Sequence, residues 1–239
     1  MISVYEWQTA YMTQVSLMDG FPNLKGSVLI VTYGRSGSTL LQSMLQGLPG
    51  AKITGENHNA AEGLFRSCRR LQRSNKQWGQ KQQPHNHPWY GADEIDLDSY
   101  KRSLGEAFIR SVIKPDDDVR WIGFKEIRYP KMKDDFEDYL DFFAEIFPNC
   151  HFVFNSREWS NVANSAFWRN RDPEEVKELV WRTDQQFREY SERHPENCVH
   201  VQYESVISDP SHLQPIYEML GEEMDMEHYY SVLQCRLKH

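Results

Sequence analysis

Residues 33–39 read Tyr33-Gly34-Arg35-Ser36-Gly37-Ser38-Thr39. They follow the apolar run Val28-Leu29-Ile30-Val31 and precede Leu41, Met44, Leu45 and Leu48, which recur as one helical face. Gly34 and Gly37 let the backbone curl closely around an anion. Ser36, Ser38 and Thr39 add hydroxyls, and Arg35 adds a permanent charge. A helix beginning at such a loop presents free N–H groups and the positive end of its dipole, so the chemistry indicated is phosphate binding. The loop is not of the Walker type, because Ser38 stands where Gly-Lys-Ser/Thr requires lysine. Nor does a later strand end in a magnesium-holding aspartate. The apolar run at 121–124 leads into Lys125-Glu126, that at 151–154 into Asn155-Ser156-Arg157, and that at 199–202 into Tyr203-Glu204. Cations at two of these ends point to a nucleotide handled without a metal. His85 and His87 lack neighbouring Cys or carboxylate partners, so no metal ligands are assigned.

These residues need elements to carry them. Short apolar runs predict strands at 27–32, 121–124, 151–154 and 199–202. The first helix is stopped by Pro49-Gly50, and further helices are expected over 93–113, 134–147, 159–169, 174–194 and 210–220, with a helix or loose arm over 2–19. Strand, glycine-rich loop and helix open a doubly wound α/β fold, a P-loop-like sheet of mainly parallel strands with helices on both faces, in three layers. A length of 239 residues suits a single domain over 1–239.

Composition narrows the function. Hydrophobic residues at 39% argue against disorder, and a net charge of −8 argues against a general nucleic-acid coat protein. One segment runs the other way: residues 66–92 hold six Lys or Arg and no acid, as a polar surface stretch or a basic lid beside an anionic ligand. Cys68, Cys150, Cys198 and Cys235 are too scattered for a disulfide framework. The stretch to Gly26, broken by Glu6, Asp19 and Pro22, does not read as a targeting segment, and no run is long enough to span a bilayer. A cytoplasmic protein is expected.

Taken together, the motifs resemble those of the sulfotransferases that use 3′-phosphoadenosine 5′-phosphosulfate (PAPS). Residues 33–39 are similar to their 5′-phosphosulfate loop, a Lys or Arg followed by Ser-Gly-(Ser/Thr)-Thr. Their second element, a strand ending in Arg with Ser eight positions on, is matched by Arg157 and Ser165. Gly55-Glu56-Asn57-His58 resembles the acidic catalytic segment of tyrosylprotein-like and bacterial-type members. Gly123-Phe124-Lys125-Glu126 resembles their middle strand, and Tyr203-Glu204-Ser205 through Leu220-Gly221 a segment near the end of the fold. The likeness spans about residues 27–221. It departs at Leu40, where cytosolic members carry an adenine-contacting Trp, and in lacking their C-terminal Gly-rich basic element.

The resemblance implies transfer of a sulfuryl group from PAPS to a hydroxyl or amine by in-line displacement, releasing adenosine 3′,5′-bisphosphate (PAP) with no metal required. It implies that Gly34, Arg35, Ser36, Gly37, Ser38 and Thr39 hold the 5′ end of the donor. Arg157 and Ser165 would hold the 3′-phosphate, and Tyr203 would touch the nucleotide. Arg35 and Lys125 would stabilise charge, and Glu56 would be the general base, with His58 as rival or partner. Asn57 and Asn59 are candidate acceptor contacts. Trp78, Trp89, Tyr90, Trp159 and Trp168 fit either an acceptor pocket or core packing. The acceptor itself, a small molecule, glycan or lipid, is open. No nucleic-acid partner and no membrane span are expected. A non-catalytic nucleotide-binding module and an atypical P-loop kinase stand as alternatives.

Overall fold

In the computed structural model, residues 20–235 are described, apart from the side chains of Ala166 and Phe167. The arm expected over 2–19 lies outside the described residues. Five parallel strands form the sheet: β1 (Gly26–Thr32), β2 (Ala51–Thr54), β3 (Trp121–Glu126), β4 (Cys150–Ser156) and β5 (Cys198–Gln202), in the order β2-β3-β1-β4-β5. Nine α-helices are described: α1 (Ser38–Leu45), α2 (Ala60–Trp78), α3 (Leu97–Phe108), α4 (Phe136–Ile146), α5 (Trp159–Ala163), α6 (Pro173–Arg193), α7 (Tyr203–Ser208), α8 (Gln214–Leu220) and α9 (Met226–Gln234).

Strand β1 is buried along its whole length, and its side chains alternate between the two faces of the sheet. Leu29 and Val31 join Phe124, Phe152 and Phe154 in a core closed by Phe65 of α2, Phe108 of α3, Tyr139 and Phe143 of α4 and Phe187 of α6. Val28 and Ile30 face the other way, onto Leu41, Met44 and Leu45 of α1 and Ile216, Tyr217 and Leu220 of α8. Two cores on one sheet make three layers, as the apolar runs require. Strand β1 also has β3 on one side and β4 on the other, so the order reverses there. In open α/β sheets this switch point, at the carboxyl ends of the strands, is where ligands bind. The register brings those ends level, with Val31 opposite Glu126 and Thr32 opposite Asn155.

Several elements differ from expectation. Strand β2 gave no apolar run, since only Ile53 of its four residues is buried. The first part of the basic segment is the body of α2, where Arg66 and Arg69 pair with Asp135 and Asp138 at the start of α4. The helix expected over 159–169 is broken: α5 ends at Ala163, Ser165 is extended, and a 3-10 turn covers Ala166–Asn170. Tertiary bonds cause the break, because the Ser165 hydroxyl accepts from Arg35 and the Trp168 indole donates to the Gly34 carbonyl. The stretch 93–113 divides into α3 and a π-helical turn at Ile109–Ile113, and 210–220 into a 3-10 turn at Pro210–Leu213 and α8.

Candidate active site

The loop after β1 is tied down through its carbonyls. The Gly34 carbonyl accepts from Trp168 at 3.1 Å, the Arg35 carbonyl from the Arg157 guanidinium at 3.0 Å, and the Ser36 carbonyl from the Asn155 amide at 2.9 Å. All three donors come from β4 or the segment that follows it. With the carbonyls held, the loop leads into α1, whose first-turn N–H groups have no carbonyl four residues back inside the helix. Ser38, Thr39 and Leu40 line the cleft beside it. The Ser36 hydroxyl departs from the sequence expectation. It is fully buried, 2.6 Å from the Thr32 hydroxyl, and serves the loop rather than facing the cleft.

Gly37 sits at the N-cap of α1 with φ +81°. A Cβ there would come within 2.1 Å of the Tyr203 ring, so the position requires glycine for both backbone and packing reasons. Gly37→Ala is expected to cost about 1–2 kcal/mol from the left-handed backbone alone, and more from displacing Tyr203. Urea denaturation checks this: Gly37→Ala/Tyr203→Ala should recover the packing part and keep the backbone part. Wild-type stability in the single variant would contradict the account.

Arg35, Arg157, Ser165 and Tyr203, scattered in sequence, converge. The Arg35 Nε donates to the Ser165 hydroxyl at 2.9 Å, so Arg35 stands beside the pair expected to hold a 3′-phosphate. The Arg157 guanidinium lies over the Tyr203 ring, 4.6 Å from its centroid. Its Nε is 3.7 Å from Glu204, within ion-pair range, and among the described residues this buried atom has no hydrogen-bond partner. An anion at this point would supply the missing acceptor.

Across the cleft, Glu56 accepts from Lys125 Nζ at 2.7 Å and from Arg128 at 3.1 Å. Lys125 is almost wholly buried, with its side chain 6% exposed, whereas that of Glu56 is 32% exposed. Partial burial pushes the Glu56 carboxyl up, but hydrogen bonds and charge from Lys125 and then Arg128 outweigh it and hold Glu56 below the ordinary carboxylate value. Arg128 is placed by Glu126, a buried carboxylate that accepts from Arg128 Nη1 at 2.7 Å and from the backbone N–H groups of Ile127, Arg128 and Asn59. Glu126 therefore turns into the protein instead of offering oxygens to a metal. Among the described residues no group of three or more His, Cys, Asp or Glu is placed to hold one. The Nδ1 of His58 is 3.2 Å from Arg128 Nη2, and among the described residues His58 makes no hydrogen bond to Glu56. Asn59 is buried, its amide oxygen accepting from Tyr139 and its amide nitrogen directed to Glu62 and the Met132 sulfur, so it is turned away from an acceptor.

One cleft of about 660 Å³ gathers Gly34, Arg35, Ser38, Glu56, Lys125, Arg157 and Tyr203, with Ile207 and Leu233 as apolar wall. Its size suits a small-molecule site. Sequence reasoning missed Arg128, Glu126 and a buried network beneath Arg157. In that network Ser156 Oγ lies 2.6 Å from Asp184 Oδ1 and 2.6 Å from His200 Nε2, and Tyr33 Oη lies 3.4 Å from Asp184 Oδ2. Burial pushes Asp184 up to about 6 despite its hydrogen bonds, and burial with the Arg188 charge brings His200 down to about 4. Of the aromatics, Trp168 is buried against the loop and Trp78 stacks on Trp89 at 5.8 Å; none of Trp78, Trp89, Tyr90, Trp159 and Trp168 lines this cleft. No described helix is long and apolar enough to cross a membrane.

A family model described as the sulfotransferase family matches residues 27–226, from β1 to the start of α9. Among solved structures, the chain is similar to sulfotransferase STF9 from Mycobacterium avium, with 13% identity, a TM-score of 0.47, and coverage of 94% of this chain and 70% of that one. A search of curated proteins finds no match.

Proposed function

Since this chain belongs to the sulfotransferase family, we propose that it moves a sulfuryl group from PAPS to a hydroxyl or amine acceptor, with Glu56 as base and Arg157 and Ser165 as the 3′-phosphate clamp. The observation that carries this reading is the junction of two separated motifs over one cleft. Arg35 of the loop bonds Ser165, and Arg157 bonds the Arg35 carbonyl. The same cleft presents the Glu56–Lys125 pair.

In the proposed reaction the acceptor oxygen or nitrogen attacks sulfur in line. The bond from sulfur to the 5′-phosphate oxygen breaks, and its electron pair stays on that oxygen of PAP. The acceptor proton passes to Glu56. The barrier falls through positioning and through cations set where charge grows. The loop N–H groups with Ser38 and Thr39 hold the 5′ end, and Lys125 faces the growing negative charge. Arg35, bonded to Ser165, is assigned in this reading to the 3′ side with Arg157 and Ser165 and not to the leaving oxygen. Lys125 serves two anions. As donor charge enters the cleft, the hold of Lys125 on Glu56 weakens and the carboxylate becomes a stronger base. Arg128 keeps Glu56 in place throughout.

The direct test incubates the protein with donor labelled on sulfate and a panel of alcohols, phenols, glycans and amines. Label should move to an acceptor and should continue to do so in the presence of a chelator. Nucleotide binding without transfer to any acceptor would favour a binding module, and complete, reversible loss of transfer on chelation would favour metal-dependent chemistry. A second expectation concerns the clamp. Arg157→Ala should weaken PAP binding by about 1.5–3 kcal/mol, the worth of a charge-assisted contact, while adenosine 5′-phosphate binding changes little. Ser165→Ala should act in the same direction and less strongly. Equal losses for both nucleotides, by calorimetry, would remove the 3′-phosphate assignment.

A further inference from the structure

Strand β4 leaves the sheet at Ser156, which is paired with Gln202, so the backbone of Arg157 has no strand partner. Both of its polar groups meet one side chain. The Arg157 N–H donates to the Tyr33 hydroxyl at 2.9 Å, and that hydroxyl lies 3.1 Å from the Arg157 carbonyl. Asp184 stands behind the same hydroxyl at 3.4 Å and is itself held by Ser156 at 2.6 Å. The Tyr33 ring is fully buried and stacked on Phe187, with centroids 6.2 Å apart and planes 11° apart, so the hydroxyl is presented from a fixed point. Its own backbone forms an isolated bridge with Arg128, the residue that holds Glu56. If packing alone mattered, phenylalanine would suit the site better, because a buried hydroxyl is costly unless bonded.

We propose that Tyr33 is a positioning residue that couples the two anion-binding segments: its hydroxyl, backed by Asp184, fixes the Arg157 backbone and thereby the reach of the Arg157 guanidinium toward the 3′-phosphate. This rests on the function proposed above. The coupling makes discrimination for the 3′-phosphate depend on a residue at the start of the 5′ loop. It also explains a phenol placed between the ends of β1 and β4, where spacing along the chain gives no hint of it.

The test measures, by calorimetry, how much more tightly PAP binds than adenosine 5′-phosphate, in wild type, Tyr33→Phe and Asp184→Asn. Tyr33→Phe should lower that ratio by about three- to tenfold, the equivalent of one to two lost hydrogen bonds, through weaker PAP binding with adenosine 5′-phosphate nearly unchanged. Asp184→Asn, which keeps an acceptor near the hydroxyl, should lower it less. A merely structural role would weaken both nucleotides together and leave the ratio intact, and that result overturns the inference. Should Tyr33→Phe fail to fold, the ratio in Asp184→Asn decides, an unchanged value counting against the proposal. If wild type itself shows no preference for PAP, the proposed function fails and this inference with it. If wild type prefers PAP and both variants keep the full preference, only the coupling fails.

Discussion

Glu56→Gln is expected to lower turnover by about 10²–10⁴-fold, the usual yield of a positioned general base. The amide keeps the size of the carboxylate, but Lys125 and Arg128 donate to separate oxygens of Glu56, so the single amide oxygen can accept from one of them and leaves the other cation free to meet the donor. Donor binding should therefore hold steady or tighten slightly, since a negative charge beside an anionic donor has been removed. Rapid-mixing measurements with a saturating acceptor separate the two effects. His58→Asn should cost far less, because the hydrogen bond of His58 among the described residues is to Arg128. Near-wild-type turnover in Glu56→Gln would remove Glu56 from the chemistry, and a larger loss in His58→Asn would transfer the role to the imidazole.

Lys125→Met is expected to lower turnover by about 10²–10³-fold, as when one preorganised charge-stabilising donor is removed. It should also move the pH profile, with a sign that can be worked out. Burial raises the Glu56 carboxyl, while Lys125 and Arg128 hold it below its ordinary value, so the wild-type base is ionised well into the acid range. Activity falls as pH drops through that value. Without Lys125 the burial contribution is opposed by Arg128 alone, the carboxyl rises, and the acid limb moves to higher pH. A lower turnover with an unmoved acid limb would mean that Lys125 stabilises charge on the donor but does not set the basicity of Glu56.

Much of the site was legible because its signals are local. The strand, loop and helix at 26–45 carry apolar, glycine and helical patterns in one unbroken stretch, and the eight-residue step from Arg157 to Ser165 is visible in the chain. The structure brings both of these residues against Arg35, though not along one continuous helix. The helix expected between them breaks at Ser165, with no glycine or proline to announce it, because Arg35 and Gly34 draw that segment toward the loop. Helix α2 was hidden by a narrow apolar face, with only Ala61, Phe65 and Cys68 buried in its 19 residues. Arg128 follows a strand end without any motif, and Tyr33 and Asp184 lie 151 positions apart. Networks closed by tertiary contact leave no periodic trace, so their members emerge only when the strand ends are brought level.

The most direct measurement for the central claim is titration calorimetry of the wild-type protein in metal-free buffer, with PAP and adenosine 5′-phosphate as paired ligands. With the two segments acting as proposed on the 5′ and 3′ ends of the nucleotide, PAP should bind at least tenfold more tightly, a difference of about 1.4 kcal/mol or more. Arg157→Ala should erase most of that difference. Equal binding of the two nucleotides by the wild type, or a requirement for magnesium before either binds, would contradict the account.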